Sequence, residues 1–197
     1  MSLVRSTIVA GALSAAVASA ANAALMTFTY SGVASGSWVS GIYTGQTFTG
    51  KAFTITGMAI TEQRSSDGAG LYGGYSMQHG ITQLTIAGLP QMAVTTSMFT
   101  QTDPEGGVVL VSGSIRGAYV FETSGPSGWN MLTSLPAAPY SVGYPSAGIP
   151  TILTTLGGFQ FTSFSGPVTF GAQLAPAPGA AALIGLFGAF GARRRRA

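Results

Sequence analysis

The feature that most constrains this chain is a strict alternation of apolar and hydroxyl side chains. Met26, Phe28 and Tyr30 fall on one side of an extended backbone, and Thr27 and Thr29 on the other. Phe53, Ile55 and Gly57 alternate in the same way with Thr54 and Thr56. A period of two belongs to a strand with one dry and one wet face, whereas a helix repeats its faces about every 3.6 residues. Further strands are expected over residues 81–87, 92–100, 108–115, 118–122, 158–164 and 168–173, where Thr, Val, Ile, Phe and Tyr stand between Gly, Ser and Pro breaks. Turn-forming runs separate them, at Ser66-Asp67-Gly68, at Asp103-Pro104-Glu105-Gly106-Gly107 and at Ser124-Gly125-Pro126-Ser127-Gly128. Residues 135–150 hold four prolines and read as a long surface connection. Sheets with one dry face pack dry side to dry side, so residues 24–174 are expected to form an all-β domain, an antiparallel β-sandwich of jelly-roll-like form.

Charge is scarce. Charged residues make up 7% of the chain and hydrophobic ones 46%, which excludes a solvated disordered polymer. The net charge of +3 comes from the ends, from Arg5 and from Arg193, Arg194, Arg195 and Arg196. Between them, three basic residues (Lys51, Arg64, Arg116) face five acidic ones (Glu62, Asp67, Asp103, Glu105, Glu122), a net of −2. Such a body lacks the basic footprint that phosphate backbones require, so no nucleic-acid partner is expected. With no cysteine, disulfides, thiolate catalysis and Cys-ligated zinc are excluded.

The two ends have a different grammar. Residues 1–23 run from a short basic start through an apolar stretch to the small residues Ala18-Ser19-Ala20-Ala21-Asn22-Ala23, the three-part pattern of a secretory signal peptide. Ala21 and Ala23 supply the small side chains that signal peptidase needs at −3 and −1, giving cleavage before Ala24; Ala18 and Ala20 also fit that rule. A retained N-terminal anchor would want about 20 apolar residues, more than this run offers. Residues 175–197 hold Pro176-Ala177-Pro178-Gly179, an apolar stretch and the four arginines. As a helix, residues 179–192 would extend about 21 Å against a hydrocarbon layer of about 30 Å, a marginal span that suits temporary anchoring. Arginines that follow an apolar run stay on the cytoplasmic side, leaving the body outside. Both ends are expected as isolated helices, an N-terminal signal helix and a C-terminal hydrophobic, transmembrane helix.

This combination resembles the PEP-CTERM proteins, whose C-terminal sorting tails are read by exosortase-type membrane enzymes in exopolysaccharide-producing Gram-negative bacteria. The resemblance covers about the last 22 residues, and the Glu at the centre of the family's motif is Ala177 here, a Pro-Ala-Pro variant. The Thr/Gly-rich body, with Ala52-Phe53-Thr54-Ile55-Thr56, is similar to the cargo of that family. The resemblance implies partners in the Sec translocon, signal peptidase and an exosortase-type enzyme, a transient inner-membrane stage through the C-terminal helix, and delivery to the cell surface or biofilm matrix. A plain tail anchor is the competing interpretation of the tail.

Within the body the search for chemistry is lean. Gly68-Ala69-Gly70-Leu71-Tyr72-Gly73 has dinucleotide-site spacing but no strand before it or helix after it, and reads as a glycine loop. His79 is the single histidine. The one triad that can be drawn joins it to Ser76 and Asp67, and the more ordinary reading is a loop histidine without a special role. Asp103 and Glu105 read as a hairpin turn rather than a glycosidase pair. No metal, cofactor or enzymatic activity is expected. Among the aromatic residues Trp38, Trp129, Tyr72, Tyr75, Tyr140 and Tyr144, the contacts to watch for a glycan are Trp38, Tyr72 and Tyr75, although a core role is the more ordinary reading for the tryptophans. The expected function is that of an exported structural, matrix-associated surface protein; the alternative is a carbohydrate-binding module acting on exopolysaccharide.

Overall fold

The structure, a computed structural model, describes residues 24–66, 74–103, 107–113, 118–126, 128–143 and 150–175. The expected signal peptide, the two terminal helices and all of the expected sorting tail except Ala175, which ends β13, lie outside the described residues. Met26–Leu174 form one unit of the fold. It is all-β: among the described residues there are thirteen strands and a single 3-10 turn, Thr61–Gln63. The strands are β1 (Leu25–Trp38), β2 (Thr47–Ile60), β3 (Ser76–Gln78), β4 (Ile81–Ile86), β5 (Met92–Ala93), β6 (Met98–Asp103) and β7 (Gly107–Ser112). They continue with β8 (Ala118–Thr123), β9 (Leu135–Tyr140), β10 (Val142–Gly143), β11 (Ile152–Thr154), β12 (Gly157–Phe164) and β13 (Val168–Ala175).

One sheet has the order β11-β12-β1-β2-β4-β5, with β13 paired to β1 and β9 paired to β13; the other has the order β10-β8-β7-β6-β3. The expected alternation is realised where it was clearest. Met26, Phe28, Tyr30, Phe53 and Ile55 are buried, and Thr27, Thr29, Thr54 and Thr56 are not. In β2 and β4 the register Phe53↔Ile86 and Ile55↔Leu84 sets the dry residues opposite one another, while Thr54↔Thr85 and Thr56↔Gln83 form the wet row. Strand β7 departs from this pattern, since Val108, Val109, Leu110 and Val111 are all fully buried.

The larger sheet curls until its outer strands touch. A bridge joins Val94 to Thr154. The Thr95 amide donates to the Leu153 carbonyl at 2.8 Å and the Thr155 amide to the Ala93 carbonyl at 3.0 Å. This closure, β5 to β11, satisfies edge groups that an open sheet would leave unpaired. The dry faces of the two sheets meet over an aromatic core. Phe121 of the second sheet packs on Tyr30 at 5.5 Å between ring centroids and on Phe53 at 6.5 Å, both of the larger sheet. Edge-to-face and tilted pairs of this kind add about 0.5–1.5 kcal/mol each beyond the area they bury.

Two expectations about elements are corrected. Residues 92–100 are not one strand: β5 ends at Ala93, residues 94–97 cross between the sheets, and β6 begins at Met98 in the second sheet. Residues 135–150 are not wholly a connection, because β9 and β10 occupy 135–140 and 142–143. Strand β9 pairs only with β13, so its proline nitrogens need no ladder partner on the open side. Pro136 and Pro139 have opposite parity, and the register accommodates both. It shifts between Phe170 and Ala172, so that Pro136 and Ala137 oppose the single residue Gly171. A Cβ at Gly171 would lie 3.0 Å from the Ala137 Cα, tight enough that β9 would have to give by a few tenths of an ångström to admit it.

Candidate functional site

His79 stands where the chain leaves one sheet for the other. Its amide donates to the Met98 carbonyl in β6 at 2.9 Å, and the next amide, of Gly80, donates to the Met58 carbonyl in β2 at 2.7 Å. The ring is buried, 5% exposed, and stacks on Phe28 at 5.2 Å with an interplanar angle of 18°. Its Nδ1 lies 3.1 Å from Thr82 Oγ1 and its Nε2 lies 2.8 Å from Thr100 Oγ1. Thr100 Oγ1 in turn lies 2.7 Å from the Tyr30 hydroxyl. A neutral imidazole has one donor and one acceptor nitrogen, and a hydroxyl serves either, so the chain Thr82–His79–Thr100–Tyr30 can be satisfied throughout. Burial pushes the His79 pKa down to about 3 and raises that of Tyr30 well above the usual phenol range. Gly57 makes the room, since a Cβ there would collide with the His79 ring.

The sequence expectation of a loop histidine is therefore refined: His79 follows β3, but its side chain belongs to the core. The drawn triad is not assembled around it, because both ring nitrogens face threonine hydroxyls. Ser76 is buried in β3, where its amide and carbonyl pair with Ser65. Asp67 lies outside the described residues. Asp103 pairs with Gly107 at the end of the β6–β7 hairpin, as the turn chemistry there suggests; Glu105 lies outside the described residues. Among the described residues no group of three His, Cys, Asp or Glu side chains is placed to hold a metal ion.

Of the three aromatic contacts singled out for a glycan, Tyr72 lies outside the described residues. Tyr75 is half-buried, and the Arg64 guanidinium lies 4.3 Å from its ring centroid, covering one face. Arg64 is itself held by donation to the Asn130 carbonyl at 2.9 Å. Trp38 is 4% exposed and packs between Tyr43 at 5.1 Å and Phe159 at 5.5 Å, so it presents no open face for stacking. Trp129 is likewise a core residue, edge-on to Phe170, and its indole N–H donates to the Thr133 carbonyl at 3.0 Å. The glycine-loop residues 68–73 lie outside the described residues. So do Ala21, Ala23, Pro176, Ala177, Pro178, Gly179 and the four arginines Arg193, Arg194, Arg195 and Arg196.

The structure does bring Trp38 to the floor of a cleft. Its volume is about 400 Å³, between the start of β2 and the turn after β4. Trp38, Phe48 and Leu89 contribute apolar surface to its lining, and Gln46, Thr49 and Lys51 contribute polar groups. Sequence reasoning found Trp38 but not its companions. Their common signal is tertiary, because the cleft gathers residues 38, 46–51 and 86–89. A larger open groove of about 630 Å³ runs over β1, β13 and β9, with Thr27, Leu135 and Gln173 in its lining.

Among the described residues no helix is long and apolar enough to cross a membrane. No protein-family model matches the chain, and no curated protein or solved structure matches it.

Proposed function

We propose that the chain is an exported cell-surface or extracellular-matrix protein, sorted by an exosortase-type system, whose body is an antiparallel β-sandwich of jelly-roll-like form with structural rather than catalytic duties. The observation that carries this reading is where the processing points fall relative to the fold. Cleavage before Ala24 comes just ahead of β1, which starts at Leu25, and processing near Pro176–Pro178 comes just after β13, which ends at Ala175. Strands β1 and β13 are neighbours in one sheet, and neither cut interrupts a described strand. An apolar stretch followed by Arg193–Arg196 orients the chain with its body outside the cytoplasm.

The proposal is tested by treating intact producing cells with a protease. The body should be digested from outside or recovered from the medium. A body protected until the cells are lysed and fractionating with the cytosol would contradict the reading.

The cleft floored by Trp38 favours a second reading, a carbohydrate-binding module that holds matrix polysaccharide. Its volume lies within the range of about 300–1,000 Å³ typical of small-ligand sites, and its lining mixes apolar surface with a few polar groups.

A further inference from the structure

The eight strands of the larger sheet carry one charged residue, Lys51, and that residue lines the cleft floored by Trp38 and Phe48. None of the lining residues is acidic, and the described carboxylates, Glu62 in the 3-10 turn and Glu122 in β8, are on other elements. An exposed lysine in the lining of an otherwise uncharged cleft complements a single negative charge. The apolar floor asks for something more than a small ion, whose hydration it could not replace. A sugar ring with a carboxylate meets both demands. Its C–H face would meet the apolar lining that stays accessible, Ala87 and Leu89, its hydroxyls would meet Gln46 and Thr49, and its carboxylate would accept from Lys51. We propose that this cleft binds a uronic-acid unit of an acidic polysaccharide.

The proposal deepens the carbohydrate-binding reading and rests on export only for where such a polymer would be encountered. A phosphate or sulfate ion alone would be expected at a site rich in donors and free of apolar floor. A neutral sugar would leave Lys51 without a role.

Isothermal titration calorimetry on the full-length protein in detergent, with tetragalacturonate and cellotetraose as ligands and sodium acetate as competitor, tests the proposal. Tetragalacturonate should bind saturably, more weakly as salt is raised, and cellotetraose at least about tenfold less tightly. Lys51→Gln should weaken tetragalacturonate binding by about tenfold, and Lys51→Arg should restore most of it. Lys51 is exposed, so both variants should keep the wild-type melting temperature. The proposal is overturned by absent saturable binding, by cellotetraose binding as tightly, by acetate displacing the oligosaccharide at equal concentration, or by Lys51→Gln leaving affinity unchanged. Any of these alongside a correctly processed exported chain removes the cleft assignment and leaves the export reading standing. A cytosolic, unprocessed chain that still binds tetragalacturonate does the reverse.

Discussion

His79 shows what a single side chain can tie together. Its ring bonds Thr82 in β4 of one sheet and Thr100 in β6 of the other, and it does so as a neutral group. The unfolded chain takes up a proton near pH 6.5, while the folded chain resists protonation down to about 3. Between those values the unfolded state holds more protons, so stability falls as the pH falls. The contribution is complete above about pH 6.5 and is lost progressively toward pH 3, by about 1.4 kcal/mol per unit once well inside that window. Comparing wild type with His79→Gln by thermal melts from pH 7 to pH 5 isolates the effect before most carboxylates titrate. The wild type should be the more stable at pH 7, and the gap should narrow on acidification. A gap that stays constant would show that the imidazole is not held neutral by the fold. None of this is local in sequence. The residues that bury His79 are Phe28, Gly57, Thr82 and Thr100, and the run Gly74-Tyr75-Ser76-Met77-Gln78 before it carries no mark of burial. Trp38 was easier, since a core role is the more ordinary one for a tryptophan in a strand, and its packing against Phe159 agrees with that.

At the scale of elements, alternation was readable wherever a strand has one dry face and one partner on each side. Strands β1, β2, β4, β12 and β13 all lie where the pattern of two places a strand, although β1 and β2 run longer than their clearest stretches. Residues 92–100 misled because strand-forming residues continue across the point where the chain changes sheets. The break at residues 94–97 is imposed by Thr154 and Leu153, far along the sequence. Residues 135–150 misled for the opposite reason: proline signals a connection, yet an edge strand tolerates it. Pro136 and Pro139 also keep the open side of β9 from offering a continuous row of donors to another molecule. Replacing both by Thr should leave the melting temperature within a few degrees of wild type. It should also raise light scattering at high protein concentration, as β9 becomes a template for intermolecular pairing. Unchanged scattering in the folded double variant would mean that the prolines do not protect this edge.

For the whole molecule, closure dominates. The larger sheet seals itself through β5 and β11, and chain crossings at His79, at residues 94–97 and between β9 and β10 knit it to the second sheet. A body so closed, poor in charge and free of cysteine, owes its stability to buried aromatic and aliphatic surface. Alternation made the all-β class readable; the curling of one sheet onto itself was not, because no residue pattern encodes which edges meet. The proposed address segments rest on a different kind of argument, since membrane insertion depends on the order of charge and grease rather than on packing. They make the most direct test a mass measurement on the protein recovered from the envelope or medium of the producing cell. The expected polypeptide begins at Ala24, ends at or close to Pro176–Pro178 and lacks the four arginines; a chain with both Met1 and Arg196 still in place would contradict export and processing.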